Sequence, residues 1–261
     1  MTSCRLSQVI SEHRTDSNLF RLNVSHLNLC SNQQQKIPIM GVSGAGKSTL
    51  LNVLATICQQ KTGDVNWQLC TGQQFNWTHK KPLSNKQVVE LRSHHFGFLF
   101  QDSTLSPYLT IEENLLYPQR LAGIKKNAAK DRITTLISQF LPEFINNPRE
   151  LTARYPAQVS GGQRQRVALM QALVNNPTVL FADEPAASLD WRTRNDIMQV
   201  LFNWVNEDSD RLFIWVTHHY DDPKLAGVER YLEVSVPLDN ETKEKSGQVQ
   251  WTEYREKPEN Y

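Results

Sequence analysis

Residues 41–48 read Gly41-Val42-Ser43-Gly44-Ala45-Gly46-Lys47-Ser48, and this stretch decides the fold. It fits the pattern GxxxxGK[ST], in which glycines let backbone N–H groups turn inward around an anion. An apolar run at residues 37–40 precedes it. A helical pattern at residues 47–60 follows, with an apolar side made of Leu50, Leu51, Val53, Leu54 and Ile57. This order of strand, glycine loop and helix predicts a phosphate-binding loop rather than a simple glycine turn.

The predicted loop and the start of its helix give the candidate ATP-binding residues. Lys47 is expected to reach the β- and γ-phosphates, and the Ser48 hydroxyl to ligate Mg²⁺. The full set is Gly41, Val42, Ser43, Gly44, Ala45, Gly46, Lys47, Ser48 and Thr49.

Short apolar runs alternate with helical patterns along the chain. Residues 96–100, 179–182 and 213–216 are candidate buried strands, and residues 21–29 and 64–77 have strand-like patterns. Residues 111–151 look helical, with breaks expected at Pro118, Pro142 and Pro148. The alternation predicts an α/β fold with a mainly parallel sheet. The polar stretch 239–261 is expected to be a solvated C-terminal extension.

The bulk composition excludes several classes. The 261 residues are 39% hydrophobic and 21% charged, with a formal net charge of +1, so no strong field favours a nucleic-acid partner. No run of roughly 18 apolar residues predicts a membrane span, and the N-terminus does not have the pattern of a secretion signal. The four cysteines have no metal-binding spacing and are interpreted as reduced thiols. We therefore expect any action on a membrane to need a partner chain.

Residues 179–184 read Val-Leu-Phe-Ala-Asp-Glu, an apolar run that ends in two carboxylates. A buried strand that presents acids at its carboxyl end suits a nucleotide site at the edge of a sheet. Asp183 is expected to hold Mg²⁺ directly or through water, and Glu184 to act as general base on the attacking water.

Residues 159–166 read Val-Ser-Gly-Gly-Gln-Arg-Gln-Arg and resemble LSGGQxQR, the signature of the ABC (ATP-binding cassette) ATPases, with valine for the leading leucine. The resemblance implies that two chains stack head to tail, so that each ATP lies between the phosphate-binding loop of one and the signature of the other. The signature residues that would contact the partner's ATP are Ser160, Gly161, Gly162 and Gln163. The helix start they form is itself suited to an anion.

Smaller motifs follow the family's order between Gly41 and His218. Gln101 resembles the glutamine that senses Mg²⁺ and the γ-phosphate. Ser188, Leu189 and Asp190, after Ala187, resemble a loop that crosses the dimer interface. His218 resembles the switch histidine that contacts the γ-phosphate. The resemblance thus implies catalytic roles for Glu184, His218 and Gln101, and a metal site made by Ser48, Gln101 and Asp183.

Residues 95–101, 109–114 and 155–158 resemble the macrolide-export and lipoprotein-release branch of the family. In that family an aromatic side chain stacks on adenine near the first strand, where this chain has Ile10. Phe20 is either a substitute or a core residue. The partner-binding surface would include residues 102–109 and part of residues 111–121. Within residues 102–109, Leu105 or Tyr108 is either an exposed anchor or tucked into its own domain.

The resemblance implies one P-loop NTPase domain at residues 1–238, with an N-terminal antiparallel β region and a helical subdomain at about residues 103–177. It implies an ATP-hydrolysing subunit that acts as a dimer on a separate transmembrane permease, cytoplasmic and peripheral on the inner face of the membrane. One alternative is an ATP-dependent regulator or scaffold of a membrane or cell-division complex, and another is a soluble ABC ATPase. The transported substrate and the direction of transport stay open.

Overall fold

A computed structural model describes residues 1–14, 19–100, 104–186, 190–236 and 245–255. The chain divides into two compact units, Met1–Ser84 with Ile214–Tyr261, and Asn85–Phe213. Within the described residues, no helix is long and apolar enough to cross a bilayer.

The first unit combines antiparallel and parallel strands around the phosphate-binding loop. Its strands are β1 (Ser3–Arg14), β2 (Leu19–Cys30), β3 (Lys36–Met40), β4 (Thr62–Gln68), β5 (Gln74–Thr78), β9 (Arg230–Ser235) and β10 (Lys245–Glu253). They lie in the order β5-β4-β1-β2-β10-β9-β3. Its helices are α1 (Lys47–Leu54) and α8 (Asp222–Ala226). The antiparallel pairs β1–β2, β1–β4 and β4–β5 form the predicted antiparallel β region.

The second unit contains parallel strands and most of the helices. Strand β6 (Phe96–Leu99) pairs in parallel with β7 (Val179–Asp183). The rings of Phe96 and Phe181 meet edge to face with centroids 5.0 Å apart, which fixes this pair. The helices are α2 (Asn85–Glu90), α3 (Ile111–Leu121), α4 (Lys126–Phe140), α5 (Pro148–Thr152), α6 (Gly161–Leu173) and α7 (Trp191–Asn206). Shorter turns are the π-helix Leu91–His95 and the 3₁₀ turns Pro142–Phe144 and Pro156–Gln158.

Strand β8 (Leu212–Val216) runs through the boundary between the two units, and all five of its residues are buried. In the first unit, Thr217 directly follows β8, and its N–H donates to the carbonyl of Ile39 in β3 at 3.1 Å. In the second unit, its own first N–H donates to the carbonyl of Thr178, next to β7, at 2.9 Å. The sheet strands predicted from apolar runs are therefore confirmed as β3, β6, β7 and β8.

Three sequence-based expectations are corrected. The helix predicted for residues 47–60 ends at Leu54, because Thr56 takes a left-handed conformation with φ 62°, and Ile57 is exposed rather than on a buried side. Pro118 does not break the helix but lies inside α3. Residues 245–253 are not a solvated extension: they form β10, paired with β2 and β9.

Candidate functional site

The phosphate-binding loop lies between β3 and α1, as the sequence predicts. Gly46 takes a left-handed conformation with φ 101° at the start of α1. This conformation favours glycine, and a Cβ there would also come within 2.7 Å of the Phe20 ring and displace it. The Phe20 ring thus packs against the loop, and it also lies against Gly247 of β10. Phe20 itself is half-buried, outside the fully buried core.

Lys47 closes the loop on itself. Its ammonium donates to the carbonyls of Gly41 and Val42, each at 3.0 Å, and the residue is only 6% exposed. Ser48, the second residue of α1, is exposed. The Lys47 ammonium is thus held beside the N-terminus of α1. Its charge and the helix N-terminus both favour binding of an anion.

His218 directly follows a residue that is hydrogen-bonded to β3, the strand before the phosphate-binding loop. His218 is exposed and directly follows Thr217, whose N–H bonds Ile39, two residues before Gly41. The Thr217 hydroxyl accepts the N–H of His219 at 3.0 Å, and the buried Trp215 indole donates to Asp222 at 3.2 Å. The turn that carries His218 is therefore fixed on both sides within the first unit.

The two carboxylates of the second unit lie where the sequence predicts. Asp183 is the last residue of β7, and Glu184 follows with φ 50°. A positive φ is uncommon for glutamate and marks local strain. Both residues are partly exposed, so the strand end presents two acids.

The signature-like stretch forms the N-terminus of α6. The Ser160 hydroxyl accepts the N–H of Gln163, and the Gln163 side chain accepts the N–H of Ser160, both at 3.2 Å. This capping box explains the serine and the glutamine structurally. It does not explain the two glycines, because a Cβ on Gly161 or Gly162 would meet nothing within 4 Å. With glycine at both positions, the first turn of α6 presents backbone without side chains.

Helix α6 also supports two neighbouring loops. The side-chain amide of Gln165 donates to the carbonyl of Pro185, directly after Glu184. The side chain of Gln171 accepts from the Thr104 hydroxyl at 2.6 Å and donates to the carbonyl of Asn114 at 3.0 Å. The sequence analysis did not single out Gln171. The proline at position 118, four residues after Asn114, was the available signal, since it leaves that carbonyl without a helical N–H.

The remaining predicted residues are placed in part. Asp190 caps α7, and hydrogen bonds from Thr193 and then Arg192 hold the pKa of its carboxyl below the usual value. Gln101, Ser188 and Leu189 lie outside the described residues. In the predicted partner surface, Leu105 is 7% exposed and Tyr108 is 87% exposed, so Leu105 is a core residue and Tyr108 alone of the two is an exposed candidate.

Comparison with known proteins gives a consistent result. The family model described as ABC transporter matches residues 24–187. The macrolide export ATP-binding/permease protein MacB of Psychrobacter arcticus is 36% identical to this chain. The alignment covers 80% of this chain but only 29% of MacB. The lipoprotein-releasing system ATP-binding protein LolD of Bacteroides fragilis is 33% identical, covering 75% of this chain and 82% of LolD.

A solved structure, described as a dimeric post-hydrolysis state of the ATP-binding cassette MJ0796 bound to ADP and Pi, has the same fold. It aligns with a TM-score of 0.73 and 27% identity, covering 97% of this chain and 99% of that one. These matches confirm the predicted fold class and the resemblance to the macrolide-export and lipoprotein-release branch.

Proposed function

Because this chain belongs to the ABC transporter family of ATP-binding, ATP-hydrolysing proteins, we propose that it drives a separate membrane-spanning permease through ATP-dependent closure of a homodimer. The observation that carries this proposal is that Glu184, the candidate general base, is present and strained at the end of β7, beside the helix that begins with the signature. A scaffold that only binds ATP would have no need of that carboxylate.

In the proposed binding step, the residues from Gly41 to Thr49 hold the phosphates. Lys47 would exchange its bonds to the Gly41 and Val42 carbonyls for phosphate oxygens, because an ammonium bonds more strongly to an anion than to a neutral carbonyl. The N–H groups at the start of α1 would add further donors. His218 would contact the γ-phosphate from the turn fixed by Thr217.

In the proposed hydrolysis step, Glu184 accepts a proton from the attacking water. Ser48 and Asp183 offer hard oxygen atoms, the donors that Mg²⁺ prefers, and Gln101 is the third candidate ligand. Mg²⁺ needs few protein ligands when substrate phosphates supply the others, so the chemistry of these oxygen donors suits the ion. When bound, the ion would neutralise charge on the β- and γ-phosphates.

In the proposed dimer, Ser160, Gly161, Gly162 and Gln163 approach the ATP held by the second chain, and residues 188–190 cross the interface. The open surface over both glycines supports this role. The dimeric state of the MJ0796 cassette supports it independently. The permease would place the subunit on the inner face of the cell membrane, and we propose no nucleic-acid partner.

The test is the ATPase rate of the purified chain, alone and with its co-purified permease in lipid vesicles. We expect measurable hydrolysis that the permease stimulates. ATP binding without hydrolysis in either state would favour a regulator or scaffold, and hydrolysis without any membrane partner would favour a soluble ABC ATPase.

A further inference from the structure

A groove of about 1050 Å³ crosses one face of the antiparallel strands in the first unit. It is turned away from α1, because the Trp67 indole donates to the carbonyl of Leu54 in that helix, while Asp64 points to the opposite face of the same strand. From β1 and β2 its lining includes Ser7, Gln8, Val9, Ile10, Asn23 and Val24, and charged and polar residues of the neighbouring segments complete it.

A row of polar residues runs across this face from β2 to β5. The strand registers place His26 opposite Ser7, Ser7 opposite Asp64, and Asp64 opposite Thr78. His26 Nδ1 and Ser7 Oγ are 3.3 Å apart and hydrogen-bonded. Four neighbouring strands span about 14 Å at the usual strand spacing. The groove is therefore long enough for an extended ligand.

The floor of the groove is a bulge in β1. Gln8 has φ 52°, and the pairing of β1 with β4 shifts register between Ser7 and Ile10. Gly63, with φ 79°, is required opposite the bulge, since a Cβ there would collide with the carbonyls of Ser7 and Gln8. The Thr62 hydroxyl donates to the Gln8 carbonyl at 3.1 Å and holds the bulge. Strained bulges of this kind are common beside binding sites.

The charges on the groove favour an anionic ligand. The ammonium groups of Lys61 and Lys80 line it, against the carboxylate of Asp64 as the acidic member of the lining, and the imidazoles of His26 and His79 lie beside them. These five side chains are exposed, so the groove is open along its length. A small-molecule site usually encloses most of its ligand. An open basic groove instead suits a chain that enters at one end and leaves at the other.

We propose that this groove binds an extended acidic segment of a protein partner, with carboxylates facing Lys61 and Lys80. The polar side chains of the central row, from His26 to Thr78, would hydrogen-bond the peptide. Lys61 and Lys80 have no role in the proposed ATP chemistry, so this inference stands apart from the proposed function.

The experiment measures binding of a fluorescein-labelled octapeptide of alternating glutamate and serine to the full chain, by fluorescence anisotropy at low ionic strength. The double variant Lys61→Glu/Lys80→Glu should weaken binding by roughly tenfold or more, as reversal of two exposed charges implies. Lys81→Glu is the matched control, because Lys81 is exposed and adjacent to Lys80 but does not line the groove. It should change the affinity by less than about twofold. Basal ATPase activity should be unchanged in both variants.

Several results would overturn the proposal. Equal affinity of the wild type and the double variant, or equal binding of a lysine–serine octapeptide, would reject it. Displacement of the acidic peptide by Mg-ATP would assign the groove to the nucleotide, since Ile10 lines it. Tighter binding of inorganic tripolyphosphate than of the peptide, lost in the double variant, would identify a small polyanion as the ligand.

Discussion

The side-chain amide of Gln165 donates a hydrogen bond to the carbonyl of Pro185, one residue after Glu184. Gln165 lies one turn into α6, after the capping box of Ser160 and Gln163. The helix whose N-terminus is the signature therefore holds the turn that carries the candidate general base of the same chain. An event at the signature of one chain could reach that chain's own carboxylate through this bond.

The first prediction concerns this bond. Gln165→Leu removes the donor and should lower kcat by about 10-fold to 100-fold, the effect of displacing a reacting group by a fraction of an ångström to 1 Å. The KM for ATP and the thermal stability should change little. In a Glu184→Gln background the same substitution should have no further effect on the residual rate. An equal, additive loss in that background would mean that Gln165 acts on the fold and not on Glu184.

The second prediction tests the general base directly. Glu184→Gln should leave ATP binding intact and reduce hydrolysis by about 10²–10⁴-fold, because the amide cannot accept the proton of water. An ATP-bound dimer should accumulate and be visible by size-exclusion chromatography. The control is Glu143→Gln, an exposed carboxylate in the turn Pro142–Phe144, which should behave like the wild type. Normal turnover in Glu184→Gln would remove this role from Glu184.

The third prediction concerns Lys47. Lys47→Ala removes a charge held within the loop and should weaken ATP binding by at least about tenfold, the value of one hydrogen bond to a charged group. Calorimetric titration with ATP measures this, with Lys126→Ala in α4 as the control. Unchanged affinity combined with slower turnover would show that Lys47 acts only in the transition state.

The fourth prediction tests the head-to-tail dimer. Ser160→Arg places a bulky cation at the open helix start and should block ATP-driven dimerisation while ATP still binds the monomer. Mixed with Lys47→Ala, it should form a dimer with one intact composite site, made of the loop of the Ser160→Arg chain and the signature of the Lys47→Ala chain. Ser138→Arg, on the exposed surface of α4, should dimerise normally. Failure of every mixture to dimerise would count against this arrangement.

The strands and loops that carry chemistry could be predicted because their signals are local. The apolar run before Gly41 and the run ending at Asp183 fix β3 and β7 without reference to the rest of the chain. The strand β10 could not be predicted in the same way. Its residues are polar on one face, and the partners that make it a strand, β2 and β9, are distant in sequence.

The structural roles of some single residues could not be predicted from the sequence, and the reasons are physical. Thr56 ends α1 in a left-handed conformation that a β-branched residue rarely adopts, so no sequence rule marks it. Pro118 is tolerated inside α3 because the Asn114 carbonyl, which has no N–H from position 118, accepts a bond from Gln171 instead. That compensation joins residues 57 positions apart and is visible only in the fold.

The last prediction separates Tyr108 from Leu105 in the segment proposed to meet the permease. Leu105 is 7% exposed, and the segment around it is held by Asn114, whose side chain accepts the N–H of Ser106 at 2.8 Å. Leu105→Ala should therefore cost about 2–5 kcal/mol of unfolding free energy, as for other buried leucines. Tyr108 is 87% exposed, so Tyr108→Ala should change that free energy by less than about 0.5 kcal/mol.

An exposed aromatic ring beside a fixed loop is suited to anchor a partner. Tyr108→Ala should then keep the basal ATPase activity, while co-purification with the permease and its stimulation of hydrolysis fall. Tyr117→Ala, an exposed tyrosine on α3, shows whether any exposed ring in this region has the same effect. If Tyr108→Ala binds the permease like the wild type, the coupling surface lies elsewhere on the chain.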